Sequence, residues 1–349
     1  MKTRTFFKSL TVAIPLLSML CLTACGEPKE TLRIYNWGDY ISDEVLRNFE
    51  EEFNCKVQID VFDSNEAMYA KLKAGATGYD ILVPSSYMAK LMLTQDMLSP
   101  IDLAQLPNVV QHFDRSYTAL SLDPEMAYSV PYFVSFTGIG YDTSRIKDFK
   151  PTWHMFERED IHRRSSLLND QREVMGCALR TLGHDVNSTN PEHIEAAVAL
   201  VKTWKKNIAK FEVDDAKRAL ASGEFFLIHT YNGDMLQVSM ENPDVAFVIP
   251  EEGATVTFDN FVIHKNSTNV ALAHAFINYM YRPEVSAANM DEIMYVAPNT
   301  AAVPLVDEKL RNNPAFTIPE DVRARCAPLR DLGDENIRYI KAWDRIRAE

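Results

Sequence analysis

The sequence is short of cysteine, and its five cysteines form no Cys-x-x-Cys pair and stand beside no histidine pair. Neither a disulfide framework nor a zinc site is therefore expected. Beyond residue 25 only Cys55, Cys177 and Cys326 remain, enough for one disulfide between partners that spacing does not assign. Positive charge is also scarce: 36 Lys and Arg against 49 Asp and Glu give a formal net charge of −13. Such a surface repels nucleic acid, which excludes that class of partner, and it favours cationic ligands. Catalytic signatures are missing too. There is no Gly-x-Ser-x-Gly elbow, His-Glu-x-x-His, phosphate-cradling glycine loop or dinucleotide fingerprint, and the eight histidines are scattered. No cofactor and no metal are expected. Nothing beyond the N-terminal segment is long and apolar enough to span a bilayer.

That segment is distinctive. Lys2, Arg4 and Lys8 precede an apolar run from Leu10 to Leu20, which ends at Leu22-Thr23-Ala24-Cys25. A charged start, a greasy centre shorter than the ~20 residues of a spanning helix, and a small-residue cleavage site together read as an export signal over residues 1–24. Leu22-Thr23-Ala24-Cys25 resembles a bacterial lipobox, which implies lipidation of Cys25, a tether over residues 25–31, and a place in the periplasm or at the cell surface, anchored to the membrane. Removing the signal discards three basic residues and no acidic one, so the exported chain is more acidic still.

Past the tether, strand and helix patterns alternate. Leu32, Ile34 and Tyr35 make a strand, and Ser42 is placed to cap a helix presenting Val45, Leu46, Phe49 and Phe53. Val57, Ile59 and Val61 alternate as a second strand; Ser64 starts a helix with Met68 and Leu72; Asp80 to Val83 form a buried strand stopped by Pro84. This β-α-β-α-β order predicts an α/β fold with a mostly parallel sheet, helices on both faces, and ligands held beyond the strand ends. The alternation returns from Ala216 to Ile249. With 46% hydrophobic residues over 349 positions, the chain can fill two cores, so two lobes are expected. Extended segments near residues 132 and 259 would carry the chain between them, giving a first lobe of 32–132 and 259–304 and a second of 133–258 and 305–349.

Loops after strands supply four clusters: Asn36-Trp37-Gly38-Asp39-Tyr40, Ser85-Ser86-Tyr87, Tyr231-Asn232-Gly233-Asp234 and Phe258-Asp259-Asn260. Each joins an aromatic ring to a carboxylate or hydroxyl. An alkyl diamine needs carboxylates at its ammonium ends, ring faces for cation–π contact and apolar walls about its methylenes. Any one cluster taken alone is a capped turn beside a core aromatic; four at matching positions point to a site.

Asn36-Trp37-Gly38-Asp39-Tyr40, the run from Ser64 to Leu72, and Tyr79 to Tyr87 resemble the bacterial periplasmic polyamine-binding proteins. The resemblance continues in order through Asp170-Gln171-Arg172-Glu173-Val174, Arg282-Pro283-Glu284-Val285, Tyr295 to Asn299 and Ala342-Trp343. It implies a two-lobed (type II) solute receptor of an ABC transporter that binds putrescine or spermidine between its lobes and delivers it to the permease. By the same resemblance, Trp37, Asp39, Tyr40, Ser85 and Tyr87 line the first lobe's wall, Asp170, Glu173, Tyr231 and Asp234 the second's. Asp259 and Tyr295 complete the site, with Asp259 the main ammonium counter-ion. This chain departs from the family in having Thr257 and Tyr231 where larger aromatics are usual, and Leu329 near an expected polar contact. Asp39 and Asp234 favour putrescine, Asp170 and Glu173 spermidine; the reading adopted is putrescine, with spermidine bound more weakly.

Two other classes compete. An acid–base enzyme would use a carboxylate pair such as Asp170 and Glu173. A receptor for another solute would want metal-ligand clusters or an arginine clamp; Arg172, the candidate near the clusters, reads as a structural partner of the two acids flanking it.

Overall fold

A computed structural model describes residues 29–348. The expected signal segment and Cys25 lie outside the described residues. The first part of the chain runs β1 (Thr31–Trp37), α1 (Asp43–Glu52), β2 (Lys56–Phe62), α2 (Asn65–Lys73), β3 (Ile81–Leu82), α3 (Ser86–Thr94) and α4 (Pro107–His112). Ser42 and Ser64 are the helix caps: Ser42 Oγ accepts from the amides of Glu44 and Val45, and Ser64 Oγ from that of Ala67. In β2 the expected alternation fails at its end. Val61 is 58% exposed and Phe62 is buried, because β2 is an edge strand and Phe62 turns in against Tyr35 and Trp37, with ring centroids 5.0 and 4.4 Å away.

Next come β4 (Val130–Asp142), β5 (Ser165–Leu167), α5 (Gln171–Thr181), α6 (Pro191–Lys205), β6 (Lys210–Phe211), α7 (Asp214–Ala221), β7 (Leu227–Tyr231), α8 (Asn232–Glu241), β8 (Val245–Val248) and β9 (Thr255–Ile263). The chain ends with α9 (Val270–Met280), α10 (Pro283–Ile293), α11 (Glu308–Arg311), α12 (Glu320–Arg323), β10 (Ala327–Pro328) and α13 (Asn336–Ala348). Strand β7 begins at Leu227 rather than Phe225, since Phe225 packs beside α7, and it reaches Tyr231.

Among the described residues one sheet has the order β2-β1-β3-β9-β4-β7-β5-β6, with β10 beside β9 and β8 beside β4. Strands β2-β1-β3 are mutually parallel, as are β7-β5-β6. Between these two parallel groups β9 runs antiparallel to β3 and β4, and β4 antiparallel to β7 and β8, while the short β10 lies parallel to β9. The thirteen residues of β4 serve both groups. Its first half, Val130–Phe136, pairs with β9, and its second half pairs with β7 and β8. Its pairing with β9 shifts register between Pro131 and Phe133. Asp259 was expected in a loop, but Phe258-Asp259-Asn260 lies in the middle of β9.

Buried apolar residues of both groups join along β4 and β9, from Phe49, Phe261 and Phe276 to Trp153, Phe156 and Trp204. Cys55, Cys177 and Cys326 are buried free thiols. Helix α13 covers α5 and α6 with Tyr339, Ala342, Trp343 and Ile346. Among the described residues no helix is long and apolar enough to cross a membrane.

Candidate functional site

Asp259 is 8% exposed and its backbone bridges that of Ser85 across the sheet. Its Oδ2 accepts a 2.8 Å hydrogen bond from the Tyr40 hydroxyl and its Oδ1 a 2.8 Å bond from Ser85 Oγ. Asn65 fixes Ser85 in turn, donating to its Oγ at 3.1 Å and accepting from its amide at 3.0 Å. Burial pushes the Asp259 carboxyl up to about 6, against the pull of Tyr40, Ser85 and the nearby Trp37 indole. The Trp37 N–H is buried without a well-aligned acceptor.

Rings wall this carboxylate. Tyr40 meets Tyr132, Phe133 and Tyr295 edge-on at 5.7, 5.1 and 5.2 Å. Tyr295 lies on the first turn of α8, over Gly233, where a Cβ would collide with its ring. Tyr231 closes β7 just before. Burial first, then repulsion from Glu173, Asp170, Tyr295 and Asp259, raises its hydroxyl pKa, so Tyr231 stands between the two acidic parts of the site.

The second acidic part begins with Asp170, which caps α5: Oδ1 accepts from the amides of Arg172 at 2.8 Å and Glu173 at 3.1 Å. Glu173 is 2% exposed. Its carboxyl takes hydrogen bonds from Thr255 and, at 3.4 Å, from Thr257, while Thr255 and Thr137 join hydroxyls at 2.6 Å. Burial raises both acids, and Asp170 raises Glu173 further. Tyr87 donates to Glu66 at 3.1 Å. Its own hydroxyl is raised by burial and then by Glu66 and Asp170.

The structure thus gathers Trp37, Tyr40, Ser85, Asp259 and Tyr295 at one end and Tyr87, Asp170 and Glu173 at the other, with Tyr231 between them. Two expected residues stand apart. Asp39 is exposed at a positive φ of 51°, and no hydrogen bond joins it to the cluster. Asp234 holds Lys217 Nζ at 3.2 Å, so a cation of the protein itself engages that carboxylate. Thr257 faces Glu173 and Phe258 turns the other way, edge-on to Tyr117 at 5.9 Å, as an extended backbone requires.

Arg172 corrects the sequence reading. Its guanidinium bonds neither flanking acid. It donates to the Arg330 carbonyl at 3.0 Å, Asn336 at 3.3 Å and Asn187 at 2.9 Å, and it lies 4.8 Å from the Tyr339 ring. The cause is direction: at the first turn of α5 its side chain points away from Asp170 and Glu173, toward the C-terminal segment.

Sequence reasoning also missed Asn65, Glu66, Thr137 and Thr255. Asn65 and Glu66 directly follow β2 and the Ser64 cap, a strand-end position like those that flagged the other clusters. The threonines lie inside strands, where only the pairing of β4 with β9 reveals them.

Similar proteins bear on the site. The putrescine-binding periplasmic protein PotF of Escherichia coli (strain K12) is 34% identical over 97% of this chain and 96% of its own. The spermidine/putrescine-binding periplasmic protein of Salmonella typhimurium is 31% identical over 93% and 94%. Among solved structures, a putative spermidine/putrescine ABC transporter from Listeria monocytogenes superposes with a TM-score of 0.86 at 34% identity, covering 91% of this chain and 99% of that one. The TpPotD lipoprotein of Treponema pallidum gives 0.85 at 33% identity, covering 92% and 100%. These likenesses run nearly end to end, and the family model described as bacterial extracellular solute-binding protein matches residues 44–318. The chain belongs to the bacterial extracellular solute-binding protein family, and it is a binding protein rather than an enzyme.

Proposed function

We propose that the protein is the extracytoplasmic receptor of an ABC transporter and binds a polyamine, putrescine above spermidine, between two lobes. The observation that carries this reading is Asp259: a buried carboxylate bonded to the hydroxyls of Tyr40 and Ser85, with Tyr132, Phe133 and Tyr295 packed edge-on about the Tyr40 ring. A charge so placed is costly without a counter-ion, and an alkylammonium supplies one while its methylenes pack on the rings. The names of the Escherichia coli and Salmonella relatives support the same ligand class. A small cation held from two lobes also suits a chain with an acidic surface and no catalytic motif.

In this reading Trp37, Asp39, Tyr40, Ser85 and Tyr87 belong to the first lobe, residues 32–132 and 259–304, and Asp170, Glu173, Tyr231 and Asp234 to the second, residues 133–258 and 305–349. Asp259 and Tyr295 complete the site, and β4 and β9 form the hinge. Contacts from both lobes favour the closed state, which the permease then receives. Lipidation of Cys25 holds the receptor at the membrane. Calorimetric titration of the chain from Gly26 onward with putrescine, cadaverine, spermidine and spermine tests the assignment. Saturable binding with putrescine tightest is expected; no heat from any of the four would overturn it.

A further inference from the structure

Gln237 lies on α8, in the stretch assigned above to the second lobe, and its side chain reaches a residue assigned to the first. Its Nε2 donates to the carbonyl of Ile293 at 3.2 Å. Ile293 is the last residue of α10, so its carbonyl finds no amide farther along the helix and needs a donor from elsewhere. The next residue, Met294, turns left-handed at a φ of 62°, a costly conformation for a residue with a Cβ. That turn delivers Tyr295, whose ring lies over Gly233 of α8 and edge-on to Tyr40 at 5.2 Å.

The Gln237 amide is oriented from its other end. Lys217 Nζ, from α7, donates to Gln237 Oε1 at 2.8 Å and to Asp234 Oδ1 at 3.2 Å. An ammonium has donors only, so the amide oxygen must face it, and the NH2 is left to face Ile293. Asp234 and Gln237 stand three residues apart on α8, which puts both acceptors on one side of the helix. The Lys217 and Asp234 side chains are 29% and 15% exposed, so water screens their attraction only in part. Asp234 thus fixes the lysine, the lysine fixes the amide, and the amide holds the turn that presents Tyr295.

We infer that Gln237 is a positioning residue of the closed receptor: its amide ties α8 to the end of α10 across the lobes and holds Tyr295 at the ligand site. The inference rests on the two-lobed receptor reading above. Separating the lobes breaks the bond to Ile293 but leaves Lys217, Asp234 and Gln237 together, because all three belong to the second lobe. The bond therefore favours the closed state alone, and its loss shows in how fast ligand leaves.

Stopped-flow measurement of putrescine release from Gln237→Glu tests this. Glutamate keeps the length and an oxygen for Lys217 but sets an acceptor against the Ile293 carbonyl. Dissociation should quicken by about threefold to tenfold, the worth of one neutral hydrogen bond, while association changes by less than about twofold. The melting temperature of Gln237→Glu without ligand should not fall. Gln237→Met, which has neither donor nor charge, should speed release in the same way and decides the matter if the glutamate variant does not fold. Unchanged dissociation in the folded variants would overturn the inference. So would a fall in the ligand-free melting temperature of Gln237→Glu, which would place the bond inside one rigid unit. Failure of the unaltered protein to bind putrescine would instead overturn the receptor reading on which the inference stands.

Discussion

Tyr40 and Asp259, 219 residues apart in sequence, share a 2.8 Å hydrogen bond in which the phenol donates to Oδ2. The bond ties the chain just after β1 to the middle of β9. With the matching bond from Ser85 it aims a buried carboxylate whose hydrogen-bonded partners are neutral.

Asp259→Asn should therefore weaken putrescine binding by at least about tenfold, which is about 1.4 kcal/mol. Thermal stability without ligand should hold or rise, because a costly buried charge is removed. Titration calorimetry with a melting curve on the same sample reads both. Unchanged putrescine affinity would remove Asp259 from the site.

Binding should depend on pH with a definite sign. The Asp259 carboxyl sits at about 6 against an ordinary 3.8, so in the ligand-free state the folded form binds more protons than the unfolded one. Its stabilising contribution is complete below about pH 4 and is lost as pH rises through about 6. Glu173, raised in the same direction by burial and Asp170, carries the loss to higher pH. A bound ammonium favours the ionised acids, so putrescine should bind more tightly, and protect more against melting, as pH climbs from about 5 to about 8. Melting temperatures with and without putrescine across that range check the prediction; a gap that narrows with pH would contradict it.

Gly233→Ala puts a methyl where the Tyr295 ring lies. The ring must move, at a cost typical of overpacking, about 1–3 kcal/mol. Both melting temperature and putrescine affinity should drop. Adding Tyr295→Leu should recover stability, since a smaller side chain makes room, but leave affinity low for want of the ring face. Recovery of both together would mean that Tyr295 only fills space.

Cys25→Ser should move the protein from the membrane fraction to the soluble exported fraction, as checked by fractionation in high salt. A serine variant that stays with membranes would rule out the lipid anchor.

Much of the scaffold was legible because its signals are local. Ser42 and Ser64 cap the helices they were expected to cap, and β1, β2 and β3 fall on the apolar runs that announced them. What escaped depends on distant chain. Val61 breaks its pattern because no strand covers that edge of the sheet. The partners of Arg172 in the C-terminal segment stand 158 and 164 residues away, so the nearby acids were the natural guess. Lys217 lies on a different helix from Asp234, and nothing local shows that the two meet. Asp259, Tyr40 and Ser85 stood in the polar and aromatic clusters, and a resemblance assigned them to the site; that two hydroxyls converge on one carboxylate became visible only with the register of β9 against its neighbours.

Strand β3 has Ile81 and Leu82 paired with Ile263 and Val262, so the first parallel group is incomplete until the chain has run out to Ile263. The order of synthesis and the order of assembly therefore differ. A nascent chain that has finished β1, β2 and β3 still exposes the edge that β9 will occupy, and closing it requires a loop spanning the whole of β4 to β8. Such non-local pairing makes folding slow and leaves the partial chain prone to association. In a chain of this topology the first parallel group can gain its last neighbour only after residue 263 has been made.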